Sequence, residues 1–403
     1  MNMNIRNTSL NILLAVGTAI ALVSCGGQDE IYKEWVKKGG YDYPAKALNL
    51  SSVTGYKSVI INWEKPMDPA VSTARLYWDN YAYSIDVDYA DYPDGKVSVP
   101  VNDLEDRSYT FDIVNYDDSG NQSLASEITV SPYSDSWMVS RSERTITSAR
   151  MEGRNARIVM SKATDEMIAT RFRYKNLQDE WVECETVLKP DENEVTFTDA
   201  LKGKRFEYSS SFCPAAGKDT VWSNWTKSAD GISYQIDGSR WNVAVTNGQY
   251  NGINTPEKIV DGRFDRSAYS WHSSKSDNNK LAFPKILSID TMASPGEEYA
   301  FTGFTFYEND SSPSMRYIKN YVIYVGSKAY DPNDADYQSE GHYGIPFLSG
   351  ILSTSEAQYS VNSTSGATGR YLAIVFRDSW NAQDGFIDLW ELVPYGYIPS
   401  LAD

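Results

Sequence analysis

The stretch RDSWNAQDGF, residues 377–386, gathers Arg377, Asp378, Trp380, Asn381 and Gln383 into one turn-rich decapeptide. No strand periodicity surrounds Trp380 to make it core. A loop indole beside planar donors and acceptors suits a pyranose, which offers an apolar C–H face and a ring of hydroxyls. His272 follows Trp271, which reads as core, so the imidazole is either a further contact to such a ligand or a structural histidine. Catalysis is less well provided for. With 2 histidines there is little room for a histidine-based triad, and the chain has no nucleophile elbow, CxxC pair, HExxH or Walker loop. Glycoside hydrolysis needs only two carboxylates, which 54 acidic residues supply in excess. Architecture decides between these readings: a chain of small β modules leaves no segment long enough for a usual catalytic barrel. The sequence reads as a binding protein, not an enzyme.

The elements that must carry such loops are strands. Between Trp241 and Gly396 short apolar runs rich in β-branched and aromatic residues, such as FPKILSID, AFTGFTFYEND, RYIKNYVIYVGS and GRYLAIVF, alternate with Gly, Pro, Asn and Asp. That is the pattern of an antiparallel sandwich or barrel. In RYIKNYVIYVG, Tyr317, Lys319, Tyr321 and Ile323 share one face, a period near two. Upstream, LNLSSV, SVIINWEKP, ARLYWDN, YSIDVDY, KVSVPV, YTFDIVNYD and SEITVSP are seven candidate strands at sandwich spacing, with Asp94-Gly95 marking a hairpin turn. A second set repeats the plan: TITSARMEG, ARIVMSKA, TRFRYKN, WVECETV, EVTFTDA, RFEYSSSFCPA and WSNWTKSA. Cys184 and Cys213 fall in that set, and form either a disulfide or two buried thiols.

The 403 residues carry a net charge of −17, which argues against nucleic acid and against a polyanionic ligand. The 11 Trp and 29 Tyr suit sandwich cores and sugar binding alike. Tyr77, Trp78, Tyr81, Tyr83, Tyr89 and Tyr92 are dense enough to form either a sugar platform or a core.

The C-terminal signals also stand in a family's order. Trp241, Asp261-Gly262, Trp271-His272-Ser273, Phe283-Pro284, Gly303-Phe304, Arg316-Tyr317-Ile318-Lys319, Gly369-Arg370-Tyr371-Leu372 and Glu391-Leu392 with Tyr395-Gly396 resemble the coagulation-factor type C, or discoidin-like, domain as it occurs in carbohydrate-binding module family 32. The two upstream sets resemble fibronectin-type or immunoglobulin-like modules, with Trp63 in the place of a buried core Trp and Leu104, then Tyr109 and Phe111, as the corner and following strand. The resemblance implies an all-β chain: two such sandwiches, 46–133 and 134–234, then a discoidin-like jelly roll, 235–398. It places ligand contacts on loops 263–280, 307–316 and 377–386, with His272, Arg316, Arg377, Trp380 and Asn381 as candidates. It also implies a structural calcium held by Asp261, Asp265 and Glu391, with oxygens near Arg263 and Ser267. The sequence departs from the pattern there, because the spacing from Asp-Gly to Trp-His is longer and Ser stands where Thr is usual.

Residues 1–24 resemble a lipoprotein signal peptide. Arg6 supplies the positive region, 10–23 an apolar run short for a spanning helix, and Leu22-Val23-Ser24-Cys25 a bacterial lipobox. Cys25 would carry the lipid, and 25–45 would be a tether whose Gln28-Asp29-Glu30 resembles a surface-export tag. The whole resembles Bacteroidetes surface lipoproteins that travel with glycan-uptake systems. That implies a carbohydrate ligand, an outer-membrane transporter with partner lipoproteins, and a location on the outer membrane facing outward. Two rival readings stay open: an adhesion protein that binds protein or lipid, and a hydrolase accessory or cryptic hydrolase.

Overall fold

A computed structural model describes residues 43–245, 252–264, 270–273, 283–308, 310, 314, 317–329, 343–380 and 386–403. Cys25, Asp265, Arg316 and Asn381 lie outside these residues. The chain divides into two compact units, Met1–Ser136 and Trp137–Asp403.

The first unit is a seven-stranded sandwich. Strands β1 (Leu48–Gly55), β2 (Ser58–Glu64), β3 (Val71–Trp78), β4 (Tyr83–Asp88), β5 (Lys96–Val101), β6 (Tyr109–Asp117) and β7 (Ser126–Val130) match the seven expected runs. They form antiparallel sheets of order β1-β2-β5 and β4-β3-β6-β7. Alternation sets the faces: in KVSVPV, Val97, Val99 and Val101 point inward and the residues between them outward. Trp63 is buried as expected, and its Nε1 donates to Tyr89 Oη at 3.0 Å, which donates in turn to Asn115 Oδ1 at 2.8 Å. The corner is also as expected, with Tyr109 Oη accepting from Glu105 N at 2.9 Å. The Asp94-Gly95 expectation needs correction. Gly95 does take a turn conformation, with φ of +74°, but it leads from β4 to β5, which belong to opposite sheets, so no hairpin forms. The aromatic set divides between its two readings: Tyr89 is core, whereas Tyr81 and Tyr83 are exposed.

The second unit starts within a short helix, α1 (Asp135–Val139). Strands β8 (Ile146–Glu152), β9 (Asn155–Met160), β10 (Met167–Lys175), β11 (Trp181–Glu183), β12 (Glu194–Phe197), β13 (Glu207–Phe212), β14 (Val221–Trp222) and β15 (Thr226–Lys227) repeat the plan. Their sheets are β12-β9-β8 and β11-β10-β13-β14, with β15 also on β13. Cys184 and Cys213 are both free thiols.

The jelly roll follows in the same unit. Its strands are β16 (Tyr234–Gln235), β17 (Asn242–Val245), β18 (Trp271–His272), β19 (Lys285–Asp290), β20 (Tyr299–Tyr307), β21 (Asn320–Gly326), β22 (Leu348–Ile351), β23 (Gln358–Gly369), β24 (Tyr371–Phe376), β25 (Asp388–Leu389) and β26 (Glu391–Tyr397). The sheets β16-β26-β20-β23 and β17-β19-β24-β21-β22 face each other across a core that includes Trp241, Trp271, Phe301, Phe304 and Phe376. On β21 the two faces divide as the alternation predicts. Tyr321 and Ile323 enter this core, whereas Val322 and Tyr324 join a second apolar cluster with Ile286 and Val375.

The boundary read at 234/235 is not a clean break. Tyr234 pairs with Gly396 and Gln235 with Tyr395, so the end of the second module is an edge strand of the third. The chain terminus returns the connection. Asp403 reaches Lys227 at 2.6 Å and Arg205 at 3.3 Å, and Arg205 N donates to Ala402 O at 2.9 Å.

Candidate functional site

Two structures lie near the ends of the jelly-roll strands. The first is built where β24 runs into residues 377–380. Arg377 N donates to Asn320 O, Ser379 bridges to Ile318, and Trp380 N donates to Tyr317 O, so the segment is fixed by its backbone before any side chain acts. Trp380 Nε1 then donates to Leu352 O at 2.9 Å. The ring's one polar atom is thereby turned to the protein, and Trp380 remains 45% exposed. Lys319 Nζ lies 4.9 Å from the ring centroid and 2.8 Å from Asp378 Oδ2. The lysine, together with Ser379 N, holds the Asp378 carboxyl below the usual carboxylate range. Arg377, next to Asp378 in sequence, is exposed.

Phe386 ties the tryptophan segment to His272. Its ring stacks on the imidazole at 4.3 Å and meets Tyr317 edge-on at 4.4 Å, while its carbonyl accepts from Ser379 Oγ at 3.1 Å. His272 is half-buried, pairs through its strand with Asp388, and has Nδ1 3.4 Å from Ser273 O. The structure therefore brings His272 and Trp380 to one end of the sandwich. The imidazole is stacked against a neighbour there, whereas the indole, with Lys319 over one face, keeps part of its surface open. Sequence reasoning missed Phe386, Tyr317 and Lys319 as partners. Their signal was present in part, because Lys319 and Tyr317 share the alternation that begins the β21 run.

The second structure is the Asp-Gly turn. A 3₁₀ helix, Pro256–Val260, ends at Asp261, and Gly262 takes φ of +77°, a conformation that favours glycine. Asp261 Oδ1 accepts from Arg263 N at 3.0 Å, and its Oδ2 lies 3.6 Å from Lys258 Nζ. Glu391 comes from β26 beneath this turn and is 4% exposed. Its Oε1 accepts from Gly262 N at 3.2 Å, while its buried Oε2 has no hydrogen-bond partner. Burial, then the charge of Asp261, push the Glu391 carboxyl up to about 8. A buried carboxylate oxygen without a donor, next to a second carboxylate, is chemistry that a hard cation satisfies. Asp261 and Glu391 fit that role. Among the described residues no group of three His, Cys, Asp or Glu is placed to hold a metal.

A family model described as a domain of unknown function, DUF4998, matches residues 25–219. No curated protein matches the chain. Among solved structures, the family 32 carbohydrate-binding module of C. perfringens NanJ, in complex with galactose, is 17% identical. It covers 41% of this chain and 99% of its own, with a TM-score of 0.31. A SusE-like protein is 10% identical over 87% of this chain and 96% of its own, with a TM-score of 0.30. Discoidin II from Dictyostelium discoideum is 13% identical over 41% of this chain and 58% of its own, with a TM-score of 0.27.

Proposed function

We propose that this chain is a glycan-binding protein whose jelly-roll domain engages the sugar at Trp380. The observation that carries the reading is an indole whose N–H is committed to Leu352 O while nearly half of the residue stays open. Such a ring presents apolar surface to the C–H face of a pyranose, and the Asp378–Lys319 pair supplies a charged donor and acceptor beside it for hydroxyls, with exposed Arg377 next in sequence. Arg316 and Asn381 extend the contact set by resemblance, and His272 acts by holding Phe386 in place. The chain binds and does not turn over its ligand.

In the same reading Asp261 and Glu391, with Asp265, hold a calcium ion that fixes the Asp-Gly turn against β26. The ion's contribution is structural charge balance. Cys25 is lipidated and anchors the protein on the outer membrane, facing outward, where it serves a transporter and partner lipoproteins of a glycan-uptake system. These placements rest on the resemblance in the sequence.

A glycan array of the full chain tests the reading, comparing wild type with Trp380→Ala, each with and without chelator. The expected result is binding to a defined set of glycans that Trp380→Ala removes and chelator weakens. Binding unaffected by Trp380→Ala would move the site elsewhere. Binding to no glycan at all would overturn the reading in favour of adhesion to protein or lipid.

A further inference from the structure

A cleft of about 390 Å³ lies between the second module and the jelly roll, inside one compact unit. One wall is β8 and the segment leading into it; the other is β20 and β23. Both pairings of β20 are irregular at this wall. Phe301 and Gly303 face consecutive residues of β26, which leaves Thr302 as the extra residue of a bulge. Against β23 the register jumps from Ala367 to Asn362, so Ser363 and Thr364 leave the ladder beside the cleft. Gly303 permits this approach, since a Cβ there would lie 2.5 Å from Asn362 Oδ1 and 3.1 Å from Arg150 Nη2. Bulges re-aim side chains, and here they aim hydroxyls.

Each charged group of the cleft is held by protein through at least one atom, and the atoms left without a partner, Glu143 Oε2 and the Nε of Arg144 and Arg150, are buried away from the cleft space. Asp230 accepts from Tyr397 Oη at 2.7 Å and from Gly366 N at 3.2 Å. Glu143 Oε1 accepts from Ser223 Oγ and Ser210 N. The terminal nitrogens of Arg144 donate to the carbonyls of Ser161, Glu192 and Lys189. Arg150 lies 3.7 Å from the Tyr395 ring centroid and donates to Asn362. Two carboxylates and two guanidiniums also cancel. What remains to meet an occupant is uncharged: the hydroxyls of Thr145, Ser148 and Thr364, the Thr302 hydroxyl as an acceptor, since it donates to Tyr395 O at 3.4 Å, the Asn362 amide nitrogen, and an apolar side at Ile146 and Ala149.

From this lining we infer that the cleft is a second saccharide site, taking one neutral, polyhydroxylated ring. The inference rests on the glycan-binding reading above and adds a site that is independent of Trp380.

Saturation-transfer-difference NMR on the full chain with galactose, glucose, N-acetylglucosamine and galacturonate tests it. In Trp380→Ala, at least one neutral sugar should still show transfer. Adding Thr364→Trp or Ser148→Trp should abolish that signal, with circular dichroism unchanged to confirm folding. Galacturonate should give the weakest signal. If wild type binds and Trp380→Ala does not, the cleft is not a site and the first reading survives. The cleft is likewise excluded if neither blocking substitution reduces a signal that remains in Trp380→Ala. A galacturonate signal at least as strong as the neutral sugars, lost on blocking, would overturn the neutral assignment. No transfer from any sugar to any variant would remove both readings.

Discussion

The two fibronectin-like modules have the same strand order and different interiors. In the first, the central indole of Trp63 brings a buried N–H that must be paired, and the chain supplies a relay through Tyr89 and Asn115, whose amide reaches Ala45 O at 2.8 Å. In the second, Phe172 and Phe206 each meet Phe197 without polar atoms, and Tyr174 stacks on Phe197 at 4.5 Å with its hydroxyl on Thr198 O. Tyr109 closes its corner with a hydrogen bond; at the matching place Phe206 has no hydroxyl to do so. The last strand differs as well. It is continuous in the first module and split into β14 and β15 in the second, where Arg171 and Arg173 each lie 4.7 Å from the Trp225 ring. Topology can thus be held by a buried polar relay or by apolar packing. The second module adds a third support, because its last residues and the chain terminus are shared with the jelly roll.

The comparison can be broken most severely at Trp63. Trp63→Ala removes the largest core side chain of the first unit and orphans Tyr89, and should cost about 3–5 kcal/mol. Calorimetry should show that unit's transition lowered and the other unchanged. Asp230→Ala tests the shared support. Loss of the bonds to Tyr397 and Gly366 should cost about 1–3 kcal/mol, read in the second unit's transition alone.

A base titration sharpens the same point. Burial, then the bond to Asp230, push the Tyr397 phenol up to about 12, above the unfolded value of about 10. The folded state therefore holds this proton more tightly, and the stability it contributes is present below about pH 10 and is lost as pH rises toward the folded value. Tyr397→Phe should flatten the decline in the second unit's melting temperature over that range. The smallest effect belongs to Asp403→Ala. Its exposed ion pairs with Lys227 and Arg205 should add little to the melting temperature, and that little should fade with added salt.

Strands with alternating apolar residues were legible in the sequence because burial on one face leaves a period of two. The strand plan of the two modules and the burial of Trp63 and Trp271 follow from that signal. β23 carried that signal only in its first residues. In QYSVNSTSGATG only Tyr359 and Val361 carry the alternation, packing on the core, and from Asn362 onward the run is polar or small and is a strand because β20 supplies its hydrogen bonds. For the same reason Asn362 and Thr364 went unread as cleft residues. Trp380 was legible as a loop indole without strand periodicity. Its pinning by Leu352, distant in sequence, was not, because a backbone carbonyl leaves no mark in residue type. Glu391 and Asp261 were paired through the family resemblance, and the structure places Glu391 beneath the Asp-Gly turn.

The most direct test of the central claim is native-gel retardation of the full chain in polysaccharide-containing gels, comparing wild type with Trp380→Ala. Selective slowing of wild type on a particular polysaccharide, with the variant migrating nearer to its position in a plain gel, is the predicted result. Equal slowing of both proteins on every retarding polysaccharide would contradict it.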